Sequence, residues 1–316
     1  MKKWLLVAGI SMVAVTCGMG RAHAAGSTYT FAIVPKSLNN PYFDLARDGC
    51  MAEAKKLGNV TCVYTGPVNQ DAAAEVQTIQ DLITRGVDGI AISVADEGSV
   101  QRVIAHGRAA GIPIITFDAD APKSARQAYV GTDNLQLGKD LAQQLIAAHP
   151  TPGTYAMISG GPAAENLNQR LEGVRSVLGP AGWKEISGSP TFCNDDSALG
   201  IQQMADLMTG NPNLSAIVAV GGWPLFTQNA FDAFYDKHKG AIDSGKLTIV
   251  SADTLPAELA EVKAGEVAAL IGQQPFAMGA KAMDILLALK EGKTEAPIQY
   301  VGLDVVTKAN VDQFMK

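Results

Sequence analysis

Residues 112–120 read Ile112-Pro113-Ile114-Ile115-Thr116-Phe117-Asp118-Ala119-Asp120, a short β-branched run that ends on a carboxylate. A run that is apolar throughout, instead of alternating, is the pattern of a strand covered on both faces. The stretch before it, 99–110, has helical periodicity, and the same couplet recurs along the chain. Strands are expected at 30–34, 60–64, 89–93, 112–117, 155–159, 216–220 and 247–251, with helical patterns at 71–85, 99–110, 135–148, 163–178 and 257–264. Strand, helix, strand repeated this often predicts parallel doubly wound sheets. The series appears twice, with four strands before a change at 129–134 and at least three after it, so two α/β lobes are expected. In such sheets a ligand sits outside the carboxyl ends of the strands, which turns the strand list into a list of candidate site residues.

Residues 1–24 differ in composition from the rest of the chain. Met1, Lys2 and Lys3 give a positive start, 4–15 is an apolar run, and Ala22-His23-Ala24 is a small-x-small cleavage site. That pattern is a secretory signal peptide, and the apolar run is shorter than the roughly 20 residues a membrane span needs. Cys17 is a poor site for lipid attachment, because Ala14-Val15-Thr16 places no small residue directly before it. Export to the periplasm is expected. About 290 residues then remain, more than one core usually holds, so two domains are the starting expectation. Cleavage removes Lys2, Lys3 and Arg21, leaving 22 basic against 31 acidic residues and taking the formal net charge from −6 to −9. An acidic chain without a basic run is a poor partner for nucleic acid or an anionic membrane.

Cys50, Cys62 and Cys193 remain in a compartment that permits disulfides. With a helix over 41–57 and a strand over 60–64, Cys50 and Cys62 can face each other across a helix-sheet contact. The alternatives are a disulfide or two small buried hydrophobes, with Cys193 left over in either case. There is no Cys-x-x-Cys or His-x-x-x-His pair, and His106, His149 and His238 are scattered. No built-in metal site or cofactor is expected.

Lys36-Ser37-Leu38-Asn39-Asn40-Pro41-Tyr42-Phe43 comes after the first expected strand. Asn40 reads as a helix N-cap with Pro41 at the first helical position, and two aromatics then stand at the mouth of the sheet. Phe117-Asp118 ends the fourth strand and Ser251-Ala252-Asp253 the last. A carboxylate at such a tip either caps the next helix or accepts paired hydrogen bonds from neighbouring hydroxyls. Aromatic rings supply flat apolar surface for the C–H face of the same ligand. Together these residues describe a site for a polyhydroxylated molecule.

Ser37-Leu38-Asn39-Asn40-Pro41-Tyr42-Phe43, Val87-Asp88-Gly89-Ile90, 111–118, Gly131-Thr132-Asp133-Asn134 and Gln273-Gln274-Pro275 resemble, in order over nearly the whole mature chain, the ribose-type periplasmic sugar-binding proteins of ATP-driven importers. The resemblance implies two lobes joined by a three-crossing hinge, with a ligand cleft between them: 27–132 plus 275–301 in one lobe, 133–274 plus 302–316 in the other. It implies that Asn40 binds hydroxyls, that Tyr42 and Phe43 stack on a ring, and that Asp118 takes a hydroxyl pair. From the second lobe it implies Arg170, Asp253 and Gln273. Ser93 falls where the ribose binder carries asparagine. It further implies a monosaccharide or sugar alcohol as ligand, hinge closure on it, a permease as partner, a chemoreceptor as a further reader of the closed form, and a monomer.

Departures from the pattern touch specificity. Ala119 stands where ribose binders have arginine, Gly221-Gly222-Trp223 replaces a second-lobe asparagine, and Lys36 replaces a small hydroxyl residue. Trp223 is read either as a stacking face or as a packed helix-start residue. Arg170, from its position on a helix alone, reads as a surface group. Among rival functions, an α/β hydrolase lacks its Gly-x-Ser-x-Gly, and residues 240–247 fail as a phosphate loop because Leu247 comes after Lys246. The chain is therefore not read as an enzyme. A binder that presents a furanosyl quorum signal to a receptor remains the alternative, on Tyr64-Thr65-Gly66-Pro67.

Overall fold

The computed structural model describes Met1 and residues 28–315. Apart from Met1, the expected signal peptide lies outside the described residues. In chain order the first half runs β1 (Tyr29–Val34), α1 (Tyr42–Leu57), β2 (Val60–Tyr64), α2 (Ala72–Arg85), β3 (Gly89–Ile92), α3 (Glu97–Ala109), β4 (Ile114–Phe117) and β5 (Tyr129–Gly131). It continues with α4 (Asn134–Ala148), β6 (Thr154–Ser159), α5 (Glu165–Leu178), β7 (Lys184–Glu185), β8 (Thr191–Phe192), α6 (Ser197–Gly210), β9 (Ala216–Ala219), a 3-10 turn at Trp223–Leu225 and α7 (Gln228–Asp243). Last come β10 (Thr248–Ala252), α8 (Pro256–Ala264), β11 (Ala269–Gly272), α9 (Pro275–Lys290), β12 (Ile298–Tyr300) and β13 (Asp304–Thr307).

The strands form two sheets. One has the order β12-β5-β4-β3-β1-β2, the other β13-β11-β10-β9-β6-β7 with β8 also on β6. All pairings are parallel except β13 against β11. The strands β3, β4, β9 and β10, and β1 from Phe31 onward, are buried on both faces, which is why their sequences do not alternate. The chain passes between lobes three times: from β5 to α4, from β11 to α9, and from β12 to β13. β4 begins two residues later than the apolar run suggests, because Pro113 has no N–H to give the ladder.

Each lobe is fastened beside its sheet by a helix pair brought together at glycines. In the first lobe a Cβ on Gly49 would strike the Phe276 carbonyl, and one on Gly279 the Ala46 carbonyl; in the second, Gly138 and Gly173 stand in the same relation to the carbonyls of Arg170 and Leu135. The second contact sets the helix that carries Arg170. Cys50 and Cys62 form a disulfide with Cα atoms 6.0 Å apart, tying α1 to β2. Cys193 is buried, and burial pushes its thiol up to about 12.

Candidate functional site

Four acids after strand ends cap helices with their side chains: Asp71 on α2, Asp96 on α3, Asp133 on α4 and Asp196 on α6. Asp118 and Asp253 do not. Both come directly after buried strands and hold left-handed backbone, with φ of 58° and 77°, a conformation that aspartate tolerates better than most residues. The turn swings each carboxylate off its strand and into the space between the lobes. The capping explanation for these two residues is thereby excluded.

On the first lobe's wall, Asp118 accepts a 2.6 Å hydrogen bond from Ser93 Oγ, and Lys36 Nζ lies 3.8 Å from the same oxygen. Tyr129 donates to the Asp118 carbonyl at 2.9 Å, fixing the turn. Asn40 accepts from the Tyr42 N–H through Oδ1, and its amide lies near enough to Asp195 to act on that carboxyl. Tyr42 and Phe43 meet edge to face with centroids 5.1 Å apart, and Phe43 meets Phe117 the same way. The Tyr42 hydroxyl is turned to Met278 Sδ, and burial first, then Asp118, hold it well above the usual phenol range.

The second lobe's wall is organised by Arg170, which is 2% exposed. Its Nε donates to Asn134 Oδ1 at 2.9 Å, Nη1 to the Val220 carbonyl at 2.9 Å and Nη2 to Gln273 Oε1 at 2.7 Å. Gln273 Oε1 also accepts from Thr132 at the first crossing, and its Nε2 donates to Asp253 at 2.7 Å. Asp253 takes a second bond from the Gly222 N–H. Burial raises the Asp253 carboxyl, and Arg170 acts against that rise. Trp223 packs in the core of this lobe while its edge reaches the cleft; a Cβ on Gly160 or Gly221 would strike it.

Lys36, Asn40, Tyr42, Phe43, Asp118, Arg170, Trp223, Asp253 and Gln273 line one small cavity between the lobes. Of the ten residues expected from the sequence, Ser93 alone stands back from it, positioning Asp118. Three further residues line it: Asn166, Leu167 and Asp195. Asn166 lies one turn before Arg170 on α5, so helical spacing could have found it. Asp195 lies 3.8 Å from Lys36 Nζ, and this is the only ion pair among the described residues that joins the two lobes. Burial raises the Asp195 carboxyl, while Lys36 lowers it and the Asn40 amide acts in the same sense as Lys36. At Asp195 the cavity meets a larger groove between the lobes, edged by Asn39, Gln70 and Phe226. No cluster of His, Cys, Asp or Glu among the described residues could hold a metal ion.

Residues 31–294 match the model of the periplasmic binding protein domain, and the chain belongs to that family. A solute-binding protein of an ABC transporter from Burkholderia graminis, solved in complex with D-arabinose, is 32% identical and superposes with a TM-score of 0.83 over 92% of this chain and 99% of its own. The ribose import binding protein of Salmonella typhimurium is 29% identical over 280 residues, 88% of this chain and 90% of its own. The D-allose-binding periplasmic protein of Escherichia coli is 25% identical over 286 residues, 87% and 89%.

Proposed function

We propose that this periplasmic binding protein captures a neutral monosaccharide or sugar alcohol between its lobes by hinge closure and delivers it to the permease of an ATP-driven importer. One observation carries the reading: polar and aromatic side chains from the carboxyl ends of both sheets meet around a single small cavity. Asp118 and Asp253 each keep acceptor capacity for ligand hydroxyls, Asn40 brings an amide to the cavity beside Asp195, and Tyr42, Phe43 and Trp223 supply apolar surface. Lys36 and Arg170 face three carboxylates there, so the site has no surplus positive charge for a sugar acid. The ligands and names of the relatives, D-arabinose, ribose and D-allose, support the same class.

Closure is implied by the division of the residues between lobes. A ligand shifts an open-closed equilibrium only by binding the closed form better, and Arg170, Trp223, Asp253 and Gln273 act on a ligand held by Asn40 and Asp118 only once the lobes have met. The quorum-signal alternative has less support, because Tyr64 and Gly66 do not line the cavity and Gly66 packs on Pro35. The test is calorimetric titration of the mature protein with pentoses, hexoses, polyols and sugar acids. Micromolar or tighter binding of a neutral sugar or polyol is expected. Binding of a sugar acid alone, or of none of them, would overturn the reading.

A further inference from the structure

Most polar groups of the cavity already make hydrogen bonds within the protein, whereas four polar atoms on three residues of the second lobe make none, Asp195 having only its ion pair with Lys36. Asp195 is 3% exposed, and neither of its carboxylate oxygens has a partner at hydrogen-bonding distance and angle. Asn166 Oδ1 (residue 2% exposed) and Trp223 Nε1 (residue 3% exposed) are also without partners. All three residues line the same cavity. Buried polar atoms are nearly always paired, since leaving one unpaired costs its full desolvation. Three orphaned acceptors and one orphaned donor on one wall therefore form a template for what the cavity holds.

We propose that Asp195, with Asn166 and Trp223, determines specificity by selecting a ligand that is fully hydroxylated on its face toward the second lobe, so that deoxy sugars are rejected. This rests on the sugar-binding reading above and goes beyond it by fixing the ligand's chemistry. A hydroxyl both donates and accepts, so a run of neighbouring hydroxyls supplies donors for both Asp195 oxygens and Asn166 and an acceptor for Trp223. An ammonium group would serve Asp195 less well, because Lys36 already stands 3.8 Å from it and would repel a second cation. Asp195 has no competing local duty, since Asp196 caps α6. The side chain also has reserved space: a Cβ on Gly160 would collide with Asp195 Oδ1. A methylene in place of one of these hydroxyls would leave a buried carboxylate oxygen unpaired, the situation in which binding sites discriminate by several orders of magnitude.

The experiment is calorimetric titration of the mature protein with D-ribose, D-arabinose, D-allose and D-tagatose, and with each singly deoxygenated form of whichever binds. At least one deoxygenation should weaken binding to the wild type 100-fold or more. In Asp195→Ala that same penalty should shrink below tenfold, because the unpaired oxygen is gone; Asp195→Gly, which suits the left-handed backbone at φ 60°, replaces it if the alanine variant does not fold. Ligand-free Asp195→Asn should melt at or above the wild-type temperature, which a residue kept for structure would not do. Deoxy forms that all bind within threefold of their parent, or a penalty that is equal in wild type and variant, would overturn the assignment of Asp195 while leaving sugar binding in place. Failure of the wild type to bind any parent sugar would remove both.

Discussion

Replacing Arg170 by methionine keeps most of the buried volume and removes the cation on which the second lobe's wall is built. Three acceptors lose a donor, with unequal consequences. Gln273 Oε1 still has Thr132 Oγ1 at 2.8 Å, whereas no other side chain among the described residues donates to Asn134 Oδ1 or to the Val220 carbonyl. Two orphaned buried acceptors cost about 1–3 kcal/mol each, which agrees with the ~3–5 kcal/mol for removing one partner from a buried charged network. Arg170→Met should therefore lower the unfolding free energy by about 3–5 kcal/mol in urea, monitored by tryptophan fluorescence. Arg170→Lys, able to reach one acceptor, should fall between. The loss should also depend on pH. Arg170 holds the Asp253 carboxyl down against burial; without it the folded-state pKa rises further above the unfolded value, so the variant is stabilised by protonation as pH falls. The deficit at pH 8 should shrink at pH 5. A deficit below about 1 kcal/mol, less than one orphaned acceptor costs, or one unchanged between the two pH values, would refute the view that Arg170 compensates buried charge.

Burial pushes Glu75 up to about 8 and Glu261 up to about 9, so the folded state holds protons that the unfolded chain releases near pH 4.5. Stability should fall as pH rises through that window, by at most ~1.4 kcal/mol per pH unit per group; urea midpoints at pH 5.5 and 8.5 should differ in that sense, and Glu261→Gln should flatten the dependence. The disulfide spans 12 residues, and loop-closure entropy for that length predicts a loss of about 3 kcal/mol in Cys50→Ser/Cys62→Ser, read as a lower midpoint with a similar slope. Gly160→Ala puts a methyl 2.8 Å from Leu167 Cδ1 and 2.9 Å from Trp223 Cζ2 as well as against Asp195; overpacking of about 1–3 kcal/mol should appear as a tenfold to 100-fold weaker sugar affinity by calorimetry, and wild-type affinity would show that the wall yields freely.

How far each part of the site is legible in the sequence depends on where the chain is buried. Asp118 and Asp253 end apolar runs that can only be covered strands, so their place at the cleft was legible without a template. Arg170 was not legible in that way. A helical arginine looks like a surface group until Gly138 and Gly173 are seen to draw α4 and α5 into contact and bury it, and only the resemblance to a family marked it. The strands Tyr129–Gly131 and Ile298–Tyr300 escaped because they are three residues long, and Asp304–Thr307 because it is partly exposed; Ala269–Gly272 was missed too, although it is buried throughout. Asp195 escaped for a different reason. It lies just after a two-residue strand, too short to register as an apolar run, and in Asn194-Asp195-Asp196-Ser197 the cap at Asp196 accounts for an acid before the helix. Its neighbour's duty concealed its own. Only the folded chain shows that Asn194 and Asp195 both take left-handed backbone, with φ of 51° and 60°, and that Asp195 is the carboxylate from the second lobe that meets Lys36 of the first. A residue whose partner lies on the other lobe has no local pattern to announce it, which is why Asp195 is the residue of this site least visible in sequence.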